Sequence, residues 1–217
     1  MATRAISRLS PQTSALFVCD LQEKFQKTIK YFPEIVETSK RLVDTARILG
    51  MRTVVTEQYS KGLGRTVKEL GIDSETPKFD KTRVRQKLIY LDNIINLCLI
   101  PLIYFSMCLP SVEPLLVDVK NVILVGIEAH VCVLQTTYDL LNKGINVHVV
   151  VDAVSSRSIT DRKFAFKQME KAGAVLTTSE CVILGLLQDS AHPNFKEVQK
   201  LIMTSAPDTG LARDAKI

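Results

Sequence analysis

Short apolar runs that do not alternate with polar residues, each followed by a stretch of helical length and spacing, set the frame of this 217-residue chain. The runs are "ALFVC" (15–19), "RTVVT" (52–56), "NVILVG" (121–126), "NVHVVVDA" (146–153) and "AVLTT" (174–178). A strand that is apolar throughout is buried on both faces. Strand and helix in regular succession predict βαβ units, hence a parallel sheet covered on both sides. The helix after the first run is the best marked. Ile35, Val36, Leu42, Val43, Ala46 and Leu49 recur at helical spacing, with Pro33 just before them and Gly50 just after. Further helices are predicted in "VCVLQTTYDLLNKG" (131–144), "ITDRKFAFKQMEKAG" (159–173), "SECVILGLLQD" (179–189) and "NFKEVQKLI" (194–202).

Open sheets of this kind bind ligands at the C-terminal ends of their strands. Asp20 follows the first run, Glu57 the second, and the loop "GIEAHVC" (126–132) the third. Cys132 therefore falls where a helix begins. Free N–H groups and partial positive charge there are expected to lower a thiol pKa and to hold a developing oxyanion. A thiolate nucleophile also needs a proton acceptor, for which Asp20 is placed, and a lysine to stabilise it. The competing reading is a small buried core residue, a common fate of cysteine. His130, two residues before the thiol, fits the role of base less well than Asp20. Glu128 reads as a hydrogen-bonding residue that fixes the loop, and His148 and His192 as structural. Cys19 precedes the acid on a buried strand, so alternation points it away from Asp20 and into the core.

The net charge of +5 is spread along the chain, and its densest cluster, "RVRQK" (83–87), has no interleaved aromatics. Nucleic acid is not an expected partner. The five cysteines (19, 98, 108, 132 and 181) are odd in number, without C-x-x-C, and the three histidines are scattered. That argues against a disulfide framework and a structural zinc site. A reducing compartment is expected, the cytoplasm first and the mitochondrion second. The start "MATRAISRLSP" has no apolar core of a secretory signal. "GLGRTVKEL" (62–70) lacks G-x-G-x-x-G and reads as a surface loop rather than a phosphate cradle.

Five segments, "LFVCDLQEKF" (16–25), "TEQYSKGLGRTVKEL" (56–70), "KFDKT" with "FSM" (78–82 and 105–107), "GIEAHVCVLQTTYDLLNKG" (126–144) and "VHVVVDAVSSRS" (147–158), together resemble the isochorismatase-like cysteine hydrolases, in particular their eukaryotic isochorismatase domain-containing subgroup. The resemblance implies one domain over 13–210, with loose tails at 1–12 and 211–217. Its fold would be a three-layer α/β/α sandwich around a mainly parallel, Rossmann-like sheet of about six strands. It implies a catalytic triad of Asp20 as proton acceptor, Lys81 as orienting cation and Cys132 as nucleophile. The same likeness makes Gln22, Phe25, Glu57, Gln58, Tyr59 and Phe105, with Glu128, Ala129 and His130 of the loop, the expected substrate-binding residues. A cis peptide within Ile127–Ala129, a small-molecule substrate and a homo-oligomer are implied as well. The nicotinamidase branch of the family holds a metal with an Asp-x-His pair and a further histidine. Here no histidine precedes His130, so neither a metal nor a cofactor is expected. Isochorismatases proper cleave a vinyl ether and can lack the cysteine; its presence points to acyl chemistry through a thioester, on an amide, imide or related compound.

Relatives run from "KT" almost directly into "FSM". Here 22 residues, "RVRQKLIYLDNIINLCLIPLIY" (83–104), stand between them. Asp92, Asn93, Asn96 and Pro101 within the apolar part argue against a membrane span. Three readings stay open: an insertion that forms a lid or oligomer contact beside Lys81, an excursion without a role, or translated intron sequence. Two alternatives to a hydrolase also stand. One is a catalytically silent binding or scaffold protein that keeps the fold; the other is a thiol redox sensor, which lacks a resolving cysteine near Cys132 in sequence.

Overall fold

The first strand, β1 (Ser14–Cys19), is buried at every residue, as its unbroken apolar run requires. It lies between β2 (Arg52–Glu57) and a later strand. The computed structural model describes residues 8–91 and 94–211, and the side chains of 8–82 and 104–211. After β2 comes the short β3 (Lys78–Asp80), parallel to it. The chain then leaves the main sheet as an antiparallel pair, β4 (Thr82–Leu91) and β5 (Ile94–Ile103), which forms a two-stranded sheet of its own. This pair falls on the 22 residues that stand between "KT" and "FSM". The main sheet resumes with β6 (Asn121–Gly126), β7 (Asn146–Val154) and β8 (Val175–Thr177).

Spatial order in the main sheet is β3-β2-β1-β6-β7-β8, all pairs parallel. The chain builds outward from β1 in one direction and then from β6 in the other. The order therefore reverses between β1 and β6, which opens a crevice at their C-terminal ends. Asp20 and the loop leading to Cys132 follow those two strands.

Helices cover both faces. On one side α1 (Phe32–Ile48), α5 (Ser179–Leu187) and α6 (Phe195–Ile202) pack on Leu16, Val18, Ile123 and Val125. On the other, α3 (Leu134–Asn142) and α4 (Ile159–Ala172) pack on Ala15, Phe17, Cys19, Val122 and Leu124. The odd and even residues of β1 thus serve opposite layers, the period-2 rule at work in a strand buried on both faces. Local chemistry sets the helix ends: Pro33 sits in the first turn of α1, Ser158 caps α4 by accepting from the Asp161 N–H, and Thr178 caps α5. A further single turn, α2 (Ser60–Leu63), runs into the stretch 62–70 read as surface loop, of which Val67 and Leu70 are buried in the α1-side core. Leu9 is buried in the α1-side core. Residues 1–7 and 212–217 of the expected tails lie outside the described residues. Among the described residues no helix is long and apolar enough to cross a membrane.

Gly126 ends β6 at φ +112°, and a Cβ there would stand 2.0 Å from the Cys19 carbonyl oxygen. That carbonyl accepts the Ile127 N–H at 2.9 Å, so β1 and β6 stay paired up to the opening of the crevice and leave no room for a side chain at Gly126. Gly126→Ala is expected to destabilise the chain by about 3 kcal/mol through clash and backbone strain together. A urea midpoint unchanged from the parent would contradict this close approach.

Candidate active site

Asp20 is the first residue after β1, and its backbone takes the left-handed conformation at φ 51°. Its carboxylate is buried, and Oδ1 accepts a 2.7 Å hydrogen bond from the Thr56 hydroxyl at the end of β2. Oδ2 lies 2.5 Å from Lys81 Nζ. Lys81 follows β3. Its N–H donates to the Glu57 carbonyl at 2.9 Å, its carbonyl accepts the Tyr104 N–H at 3.0 Å, and Nζ donates to the Phe105 carbonyl at 2.6 Å. Lysine is rarely buried unless paired; here the whole residue is 0% exposed. Burial acts to lower its pKa, while the neighbouring acids Cys19, Asp20 and Cys132 act to raise it, and the net shift is upward. The charged pair persists because each ion supplies what desolvation removed from the other.

Cys132 arrives from the far side of the crevice. After the Ile127–Glu128 peptide, which is cis and lies in the expected interval, residues Ala129–Val133 form one π-helical turn that runs into α3. Isolated π turns of this kind recur at functional sites. The helix thus begins two residues earlier than periodicity alone predicts, and Cys132 lies within its first turn, 7% exposed. The Cys132 sulfur, the Cys19 sulfur and an Asp20 carboxylate oxygen all lie within 4.8 Å of one another.

That grouping corrects the reading of Cys19. Its side chain packs in the α3-side core with Cys132, yet it is not turned away from the acid. Alternation assumes extended backbone on both sides of the strand end. The left-handed turn at Asp20 breaks that assumption, so the carboxylate and the Cys19 thiol face the same small space. Burial first, then the hydrogen bond with Cys132 and the charge of Asp20, hold the Cys19 pKa well above its ordinary value, against the lowering effect of Lys81. Cys19 is therefore a neutral thiol beside Cys132. Two sulfurs and a carboxylate could also hold a soft cation; the Lys81 ammonium already faces them and pairs with the carboxylate.

The other residues expected at the site differ in burial and in their partners. Gln22 is fully buried; its amide Nε2 donates to the Gln58 and Gly64 carbonyls and its Oε1 accepts the Gln58 N–H. Glu57 accepts from the Thr66 N–H and hydroxyl and from Arg65. Burial acts to raise its pKa, but these donors outweigh it and the net shift is downward. Glu128 accepts from the Arg157 N–H and guanidinium, and there too the hydrogen bonds outweigh burial and lower the pKa. Ala129 is buried, and its N–H donates to the Ser155 carbonyl. His130 Nδ1 is 3.1 Å from the Ser156 hydroxyl. Tyr59 and Phe105 expose about half of their surface, and Phe25 packs at the edge of the α1-side core. Thr56, Arg65 and Arg157 went unread in the sequence. Thr56 resembled any strand threonine, and the two arginines follow their partners by eight and 29 positions, beyond any local pairing rule.

The profile of the Isochorismatase domain family matches residues 14–90 and 107–181. The Xenopus laevis protein "Isochorismatase domain-containing protein 2" is 47% identical over 211 residues, which cover 96% of this chain and 92% of the relative. "Isochorismatase domain-containing protein 1" of Danio rerio is 43% identical, covering 97% of this chain and 68% of the relative. Among solved structures, the protein described as MAR1 ribonuclease from Caenorhabditis elegans is 64% identical. It superposes with a TM-score of 0.83, over 94% of this chain and 97% of its own. The parallel α/β/α fold, the profile match and these relatives agree, and the chain belongs to the isochorismatase family.

Proposed function

We propose that this chain is a metal-independent cysteine hydrolase of small amides, imides or related acyl compounds. The observation that carries the reading is the buried Lys81–Asp20 ion pair with the Cys132 sulfur beside the carboxylate, at the point where strand order reverses. In the proposed reaction Asp20 takes the Cys132 thiol proton, and the thiolate attacks the substrate carbonyl carbon. The Cys132 N–H receives the oxyanion that forms, since those of Ala129, Val131 and Val133 already donate to carbonyls. The carbon–nitrogen bond then breaks, Asp20 returns its proton to the departing nitrogen, and a thioester remains on Cys132. Water, deprotonated by the same carboxylate, hydrolyses the thioester and restores the thiol. Lys81 fixes the carboxylate and offsets negative charge as the thiolate develops. Gln22, Phe25, Glu57, Gln58, Tyr59, Phe105, Glu128, Ala129 and His130 are proposed to shape the substrate pocket. The domain is proposed to work as a homo-oligomer in a reducing compartment, with no nucleic acid or membrane as partner.

The test is a panel of small amides, imides and esters, quenched in acid during turnover and analysed by peptide mass spectrometry. An acyl adduct on the peptide that contains Cys132 is expected with at least one member. No turnover and no adduct across the panel would leave the fold as a binding scaffold. The description of the 64% identical nematode protein as a ribonuclease favours a second reading, phosphodiester cleavage. A single-stranded oligoribonucleotide in the same panel decides it: cleavage without an adduct on Cys132 would support that reading over ours.

A further inference from the structure

The proposed hydrolysis uses one thiol, yet the crevice holds two. Cys19 is the last residue of β1 and is 0% exposed; Cys132 lies in the π turn and is 7% exposed. Their sulfurs lie within 4.8 Å of each other, as does an oxygen of Asp20. Cys19 has no part in binding or cleaving an acyl group. Its position has a chemical meaning all the same. A reactive thiol that peroxide converts to a sulfenic acid is rescued from further oxidation when a second thiol stands next to it.

We propose that Cys19 and Cys132 form a peroxide-responsive dithiol, in which Cys132 is oxidised first and Cys19 resolves it as an intramolecular disulfide. The oxidant is hydrogen peroxide. The Cys132 thiolate sulfur attacks one peroxide oxygen, the O–O bond breaks, and the departing hydroxide takes up the proton that Asp20 received from the thiol, leaving as water. Cys132 now carries S–OH. The Cys19 sulfur attacks the Cys132 sulfur, the S–O bond breaks, and the leaving hydroxide takes the Cys19 proton to form a second water. The two thiols lose two electrons and two protons in all, and the peroxide gains them.

Geometry favours the second step. The bond requires the sulfurs to close to about 2.05 Å, from a starting separation no greater than 4.8 Å. Both side chains sit in the same core layer, with no secondary-structure element between them. Cys132 is the more exposed of the two and so the one a diffusing oxidant meets. Of the other described cysteines, Cys108 packs at the edge of the same core layer but is not in the close group of Cys19, Asp20 and Cys132, and Cys181 is exposed on α5. Formation of the disulfide would consume the nucleophile while leaving the Asp20–Lys81 pair in place. The pairing rests on the same Cys132 thiolate and Asp20 acceptor as the proposed hydrolysis but needs no acyl substrate, so a disulfide is expected even in a chain that turns over no member of the panel.

The experiment treats the full chain with hydrogen peroxide, blocks remaining thiols under denaturing conditions, and maps peptides without reduction. The expected result is a cross-linked peptide joining Cys19 and Cys132, with loss of both as alkylatable thiols. Dithiothreitol should return both. In Cys19→Ser, Cys132 is expected to be trapped by dimedone as the sulfenic acid, and then to advance to sulfinic acid that dithiothreitol does not reverse. If oxidised wild type instead carries sulfinic acid at Cys132 while Cys19 remains fully alkylatable, the proposal is overturned. Failure of Cys132 to react at all overturns it too. The wild-type peptide map decides the matter even where Cys19→Ser does not fold.

Discussion

Cys132→Ala is expected to abolish turnover of whichever panel member the parent hydrolyses, by about 10⁴-fold or more in kcat. Removing the sulfur leaves a centre with an acid, an ammonium and only the fully buried Cys19 thiol, which burial keeps protonated. Asp20→Asn should cost a comparable amount, because an amide cannot accept the thiol proton. Residues that act as one unit are not additive, so Cys132→Ala combined with Asp20→Asn should be no slower than the worse single variant. The substitution deletes one buried atom, and its effect on folding should stay near 1 kcal/mol. A urea titration run beside the kinetics separates loss of chemistry from loss of fold. Retention of even a tenth of parental kcat in Cys132→Ala would sink the nucleophile assignment.

Lys81→Met should produce the largest loss of stability of any single side-chain replacement at the centre, about 3–5 kcal/mol. The ammonium is fully buried and paired with a carboxylate that is itself 1% exposed. Taking it away strands a buried negative charge. Asp20→Asn should ease that penalty: the double variant Asp20→Asn with Lys81→Met removes both charges. It keeps similar volumes and is expected within about 2 kcal/mol of the parent, the remainder including the Phe105 carbonyl that loses its donor. The cycle of single and double variants gives the coupling directly. The pH sense is fixed as well. With its folded pKa raised above the ordinary 10.5, the lysine contributes fully below that value, and its contribution is lost only as pH rises through the folded pKa. A Lys81→Met chain as stable as the parent would contradict the buried pair.

Much of this was legible in the sequence, for reasons particular residues show. Strands β1, β2, β6 and β7 were readable as apolar runs because they lie inside the sheet, where burial on both faces leaves little polar alternation; β8, a partly exposed edge strand, was readable from its short apolar run and the helix that follows it. β3 was not, since "KFD" at the sheet edge has one apolar residue in three, and Lys81 was found only through family resemblance. Periodicity marked α1 because Pro33 and Gly50 bracket it. The start of the helix carrying Cys132 was misplaced, because a π turn over Ala129–Val133 does not follow the 3.6-residue rule. Asp20 and Cys132 could be nominated from strand ends and a helix start, whereas the company of Cys19 depended on one left-handed residue that no pattern of side chains announces. The β4–β5 pair escaped because its apolar stretch, interrupted by Asn96 and Pro101, matches neither helical nor strand spacing. Only backbone pairing between its two halves reveals it.

The way that pair is rooted has an evolutionary meaning. Chain leaves the sheet at Lys81 and comes back at Tyr104, whose N–H bonds the Lys81 carbonyl at 3.0 Å, while Phe105 receives the ammonium at 2.6 Å. Departure and return share one hydrogen-bonded doorway, so the length of what lies beyond it is nearly neutral to the fold. Closing a flexible loop costs only about 0.6 kcal/mol more for each doubling of its length. Segments can therefore be gained, lost or exchanged there while the sheet stays unchanged. The doorpost is Lys81 itself, and so a novelty that enters the lineage at this point arrives already adjoining the ion pair.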